Sequence, residues 1–183
     1  MTENCERYLL DALSKGDKIA FEELFITYYP KVKRFLSGFI DSEEDGEDLA
    51  QDVFVKLWRS RLSLAYVENL NSYIFRIAKN TLYDFIDNSK KIYFSSEDVL
   101  PDIQSDESVE ELLFADELSE LINIKINRMP PQRRAIFIMS RNDGLSNQEI
   151  AEQLNISKRT VETHISAALA DIRKVLPLLL IFF

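Results

Sequence analysis

Residues 145–174, LSNQEIAEQLNISKRTVETHISAALADIRK, read as two helices joined by a tight turn, the second longer, polar and basic at its start. Ser146 is placed to cap the first helix and Glu149, three residues on, to complete a capping box; Ile150, Ala151 and Leu154 form one apolar stripe. Asn155, Ile156 and Ser157 make the turn. Ser157 then caps a second helix whose Val161, Ile165, Ala168, Leu169 and Ile172 recur at helical spacing, leaving Lys158, Arg159, Thr160, Glu162, Thr163 and Ser166 outward. This is the pattern of a helix-turn-helix, in which the second helix enters the DNA major groove and reads base edges near its N-terminus. A capped helical hairpin without a ligand is a commoner source of such patterning. What separates this one is the pair of caps, the short turn with an apolar Ile156, small Ala151 where the helices cross, and donors at the tip of the second helix.

The rest of the chain limits the alternatives. At 183 residues it can form one domain or two small ones, with ample apolar content for a core. Four glycines and five prolines argue against a loop-rich or all-β design. A single cysteine, Cys5, excludes an intramolecular disulfide, and there is neither a secretory signal nor an apolar run of about 18 residues, so a cytoplasmic protein is expected. The net charge of -9 sits awkwardly with DNA binding, because phosphate contacts need a basic surface. Its distribution resolves most of the difficulty: residues 1–91 carry 13 Lys/Arg against 16 Asp/Glu, residues 92–120 none against 10, and residues 121–183 9 against 5. The acid lies in the middle, the helix-turn-helix end is locally basic, and weak intrinsic duplex affinity points to a partner that supplies the rest.

Three segments follow. Residues 1–91 hold three helical patterns: Phe21, Leu24, Phe25, Tyr28 and Tyr29; Leu49, Ala50, Val53, Phe54, Leu57 and Trp58; and Ile74, Phe75, Ile77, Ala78, Leu82, Phe85 and Ile86. Residues 92–112 mix Ser, Asp, Glu and one Pro with sparse hydrophobics and read as an extended, flexible acidic linker. Residues 113–183 hold an amphipathic helix around Ala115 to Arg128, a break at Met129-Pro130-Pro131, a helix from Gln132 to about Asn142, an Asp143-Gly144 stop, and the helix-turn-helix. Pro177 is expected to end the last helix, and the apolar tail Leu176 to Phe183 to fold back on this segment as core or to dock a regulator. The fold class is therefore all-α: two small helical domains joined by a flexible acidic linker.

With the segments placed, the chain resembles a bacterial RNA polymerase sigma factor of the extracytoplasmic-function (ECF) type, from about Leu10 to Leu176. DGEDLAQDVFVKLW, Asp45 to Trp58, resembles the family's region 2.2; NLNSYIFRIAKNTLYDFI, Asn69 to Ile86, resembles regions 2.3 and 2.4; MPPQRRAIFIMSRNDGLSNQEIAEQLNISKRTVETHI resembles region 4. The resemblance implies a factor that binds core RNA polymerase, directs it to promoters and assists strand opening without catalysing a reaction.

The site residues follow from both readings. Asp48, Gln51 and Asp52 share the outer face of their helix at i, i+3 and i+4. Such a face is most often merely solvated; in the family it docks on the basic clamp helices of the largest polymerase subunit. Arg76, Lys79, Asn80 and Tyr83 lie on one side of the next helix and supply cationic, polar and aromatic chemistry suited to the displaced minus-ten strand. Family members form a pocket for a flipped-out base in the preceding loop, here Leu62 to Asn71, while Tyr73 and Phe75 read as core by stripe position. Many relatives end region 2.4 with arginines; this chain has Ile86-Asp87-Asn88-Ser89-Lys90-Lys91, implying weaker duplex affinity or a different sequence preference there. For the minus-thirty-five element, Arg159, Glu162, Thr163 and Ser166 suit base edges, and Lys158, Thr160 and His164 phosphates. His164, the only histidine, does not make a metal site, and no cofactor or small-molecule substrate is implied.

By resemblance the partners are core RNA polymerase (the clamp helices and the flap of the second-largest subunit), promoter DNA, and an anti-sigma factor, often membrane-bound. The acidic linker, including Asp106, Glu107, Glu110 and Glu111, is either a solvated spacer or an occupant of the polymerase's basic channel. Two rivals remain. A LuxR-type regulator has a similar helix-turn-helix but normally an α/β domain upstream, and residues 1–91 show no alternating strands; an acidic all-helical adaptor would bind proteins only. An enzyme is the weakest reading, for there is no Gly-rich phosphate loop and no His/Cys cluster.

Overall fold

The computed structural model describes the backbone of residues 3–91 and 109–182 and the side chains of residues 6–87 and 115–182. Most of the segment expected to be a linker therefore lies outside the described residues. Within them the fold is all helical, without strands, and divides into two compact units.

The first unit contains α1 (Glu3–Ser14), α2 (Lys18–Ser37), α3 (Glu43–Arg59), a 3-10 turn (Arg61–Tyr66) and α4 (Leu70–Lys91). The three sequence stripes fall on α2, α3 and α4; α1 and the 3-10 turn are additional. Asp17 caps α2 by accepting from the amides of Ile19 and Ala20, and Ser42 caps α3 by accepting from that of Asp45. Glu43, Glu44 and Asp45 in the first turn of α3 complement its dipole. Helices α2 and α3 meet through aromatic edges: Phe25 against Phe54 and Phe21 against Trp58, with ring centroids 4.8 and 4.9 Å apart. Gly46 belongs to this approach, since a Cβ there would stand 3.3 Å from the Ser37 hydroxyl. Lys33 on α2 clamps α3 by pairing with Glu47 at 2.5 Å and Glu43 at 3.6 Å, and the Glu47 hydrogen bond raises its ammonium above the ordinary 10.5. Ile74, Ala78 and Leu82 carry α4 into the same core, fully buried.

The second unit contains α5 (Val109–Asn127), α6 (Pro131–Arg141), α7 (Asn147–Leu154), α8 (Lys158–Arg173) and α9 (Val175–Leu179). Helix α5 begins six residues before Ala115, so Val109 to Leu112 are helical rather than linker. Helix α6 sits between two clusters. Its Ile136 packs with Ile150, Ala151 and Val161, and its Phe137 with Met129 and Ala168. A 2.6 Å ion pair between Arg133 and Asp171 fastens α6 to α8.

The capping box of α7 is present: Ser146 accepts from the Glu149 amide, and Glu149 accepts from the Ser146 amide at 2.8 Å. Asn155 ends α7 in the left-handed region, φ 51°, and Ser157 caps α8. Because Asn155 turns the chain there, Leu154 is left at the surface, 36 % exposed, and Ile156 packs against the cluster in its place.

The C-terminal tail divides. Val175, Leu178 and Leu179 are buried in the second unit, where α9 packs on α5 and α8. Helix α8 has already ended at Arg173, so Pro177 terminates nothing; it occupies the third position of α9, where a backbone N–H has no intrahelical acceptor to lose. Leu180 to Phe182 group with the first unit. Phe182, 2 % exposed, lies 5.6 Å edge-on from the Phe35 ring and 5.5 Å from that of Phe75.

Candidate nucleic-acid interface

Three faces gather the site residues. On α3, burial of Leu49, Ala50, Val53, Phe54 and Leu57 turns Asp48, Gln51 and Asp52 out to solvent, as their spacing predicts. Val55, one turn beyond Gln51 and Asp52, joins them 45 % exposed. Sequence reading passed over it because a valine between two inward positions looks like core. Lys33 neutralises Glu43 and Glu47, whereas Asp48 and Asp52 have no cationic partner among the described residues.

On α4, Arg76 is exposed with its guanidinium 5.4 Å from the Tyr73 ring centroid, and the Lys79 ammonium stands 5.9 Å from that of Tyr83. Asn80 and Tyr83 open onto a cleft of about 520 Å³ whose other walls are Lys56, Ser60, Tyr73, Ile77 and Asp84. Lys56 reaches across from α3 to Asp84 at 2.8 Å and to the buried Thr81 hydroxyl at 3.1 Å; the Tyr73 hydroxyl donates to that of Ser60 at 3.0 Å, which itself donates to the Lys56 and Leu57 carbonyls. The cleft thus combines rings, an amide, hydroxyls and a cation.

The structure departs from the sequence expectation at Tyr73. Phe75 is buried, as expected, but Tyr73 flanks the stripe and is half-buried in the cleft wall. The cleft lies between the end of α3 and α4, and in the loop from Leu62 to Asn71 the side chains of Leu62 and Tyr66 are 72 % and 88 % exposed. Lys56 and Ser60 were missed because their partners lie some 13 to 28 residues along the chain.

On α8, Lys158, Arg159, Glu162, Thr163 and Ser166 line one concave solvent-facing surface. Thr160 and His164 fall on a flank and are half-buried. The Thr160 amide and hydroxyl are both engaged with Ser157, so its first duty is the helix cap. Thr163 donates its hydroxyl to the Arg159 carbonyl at 2.9 Å, which leaves its oxygen as an acceptor. No cluster of three or more His, Cys, Asp or Glu side chains suited to a metal occurs among the described residues. Nor is any helix among them long and apolar enough to cross a membrane.

The faces on α3 and α4 lie in a stretch, residues 24–92, that matches the family profile described as Sigma-70 region 2, and α8 lies in residues 120–172, which match Sigma-70, region 4. The chain belongs to the sigma-70 family. Within it the relatives are of the ECF type. The ECF sigma factor SigW of Bacillus subtilis is 28% identical over 173 residues, 90% of this chain and 92% of SigW. The ECF sigma-E factor of Escherichia coli K12 is 28% identical over 187 residues, 95% and 96% of the two chains. SigZ of B. subtilis is 27% identical over 156 residues, 85% and 86%. This ECF sigma factor directs RNA polymerase in transcription initiation and, like its family, is not an enzyme.

Proposed function

We propose that the three faces divide the work of initiation. Asp48, Gln51 and Asp52 dock on the basic clamp helices of the largest polymerase subunit, each carboxylate taking charge-assisted hydrogen bonds and Val55 an apolar contact. The α4 face takes the displaced non-template strand of the minus-ten element. Arg76 and Lys79 track its backbone, Tyr83 and Asn80 meet bases, and the cleft beside Tyr73 receives one unstacked base. Arg159, Glu162, Thr163 and Ser166 read the minus-thirty-five element in the major groove, while Lys158, Thr160 and His164 hold phosphates. The second unit also meets the flap of the second-largest subunit. An anti-sigma factor restrains the protein in the cytoplasm until it is needed. Residues 1–91 serve as region 2, residues 92–108 as the connector, and residues 109–183, which begin with α5, as region 4.

The observation that carries this reading is the contrast along α3. Lys33 satisfies the carboxylates beside it, yet Asp48 and Asp52 stand on an exposed face with no cation among the described residues to answer them. The test is co-purification with core RNA polymerase of the same bacterium, beside an Asp48→Ala/Asp52→Ala variant. Loss of binding in a variant whose helical content is unchanged is expected; equal binding by both proteins overturns the assignment.

A further inference from the structure

Among the described residues helix α1 contributes no side chain to any of the three faces, yet it holds one end of the helix proposed to meet the minus-ten strand. The Leu70 amide, the first of α4, donates to Oε1 of Glu6 at 3.0 Å, across 64 residues of sequence. Leu70 is itself fully buried, so this N–H is turned away from solvent and needs a partner inside the protein. The local cap, Asn69, serves a different donor, accepting from the Ser72 amide at 2.9 Å. The first turn of α4 is therefore capped twice, once by its own sequence and once by α1. Glu6 is held in place by the turn that follows it, since Leu9, Leu10 and Leu13 are buried and α1 packs along the 3-10 segment. Its charge is also felt on a third helix: the buried Tyr28 phenol on α2 is pushed above the ordinary 10.0 by burial and, after that, by the Glu6 carboxylate.

The placement matters because of what lies one turn on. Tyr73 is the residue after the doubly capped turn; its ring walls the cleft, its hydroxyl meets Ser60, and the Arg76 guanidinium lies over its face. We infer that Glu6 is a positioning residue for promoter opening: its carboxylate caps α4 in trans and so holds Tyr73 and Arg76 where the minus-ten strand is met. The inference rests on the reading of α4 given above. It makes α1 a functional part of strand recognition although none of its residues lines the cleft.

The experiment uses the full chain assembled with core RNA polymerase on a promoter that the holoenzyme transcribes, and compares Glu6→Ala with Glu6→Gln. Three quantities are read: assembly with core polymerase, amide hydrogen exchange of Leu70 to Tyr73, and the rate of strand opening followed by permanganate reactivity of unpaired thymines. A lost cap predicts exchange and opening changed about fivefold to tenfold in Glu6→Ala, with assembly unchanged. Glu6→Gln keeps an oxygen acceptor for Leu70 and is expected to restore both. Exchange and opening at wild-type values in Glu6→Ala overturn the proposal. So does a parallel loss of assembly and opening, which would make Glu6 merely structural. An Arg76→Ala/Asn80→Ala protein separates the two levels: unchanged opening there refutes the role of α4 itself, whereas slowed opening there with normal opening in Glu6→Ala refutes only Glu6.

Discussion

Asn155 is the one non-glycine residue with a positive φ among the described residues, and it sets the angle between the two helices of the DNA-reading motif. At φ 51° and ψ 49° its amide closes the end of α7 on the Ala151 and Glu152 carbonyls, and the Ile156 amide bonds back to Ala151 at 3.0 Å. An L-residue in this region meets its own backbone at a cost of roughly 1–2 kcal/mol, and asparagine is among the few side chains that visit it readily. Alanine at 155 carries that cost without asparagine's local hydrogen bonding, so Asn155→Ala is expected to destabilise the second unit by about 1 kcal/mol. Glycine escapes the steric cost but brings unfolded-state freedom worth about 0.4–1 kcal/mol, which leaves Asn155→Gly close to wild type. Tryptophan fluorescence is blind to this change, because the single tryptophan, Trp58, lies in the first unit. Amide hydrogen exchange of the buried Ile150, Val161 and Ala168 is the suitable assay. A loss of 1 kcal/mol corresponds to exchange about fivefold faster under conditions where opening is reversible. Equal protection in the alanine and wild-type proteins, or a glycine variant as weakened as alanine, would refute the argument that left-handed strain governs this turn.

Two further outcomes are expected. Phe182→Ala should destabilise the first unit, not the second, by about 3 kcal/mol, the low end for a buried phenylalanine, because Phe182 packs on Phe35 and Phe75; urea unfolding followed by Trp58 fluorescence with an unmoved midpoint would exclude it from that core. Glu149 should make α7 acid-sensitive: hydrogen bonds from the Ser146 side chain and backbone hold its carboxyl below the ordinary 4.5. A depressed acid contributes stability fully present above the unfolded value and lost as pH falls through the folded one. Protection of α7 should therefore be level above pH 4.5 and decline below it, and Glu149→Ala should remove that dependence.

The helices most legible in sequence were those whose information is local. Ser146 with Glu149, and Ser157 with Thr160, act across three residues, and the stripes on α3 and α8 repeat within one or two turns, so periodicity and capping place them. The outward sets on α3 and on α8 follow from the same geometry, since whatever is not in the stripe must face away from it. Helix α1 was less legible because its apolar residues form a short run, with Tyr8 left 76 % exposed beside buried Leu9 and Leu10. The early start of α5 was hidden by the acidic composition around Glu110 and Glu111, which argues for extension only while no helical neighbour is counted.

Composition and periodicity alone determined an all-α chain with two helical regions, an acidic middle, and outward faces on α3, α4 and α8, because each of these depends on residues within about four positions of one another. Tertiary structure decided the rest. Lys56 meeting Asp84, Glu6 capping α4 at Leu70, and Phe182 lying beside Phe35 and Phe75 all join residues far apart in the chain. No local pattern encodes such pairings; they arise only when packing of the stripes has brought distant backbone amides, charges and rings within reach.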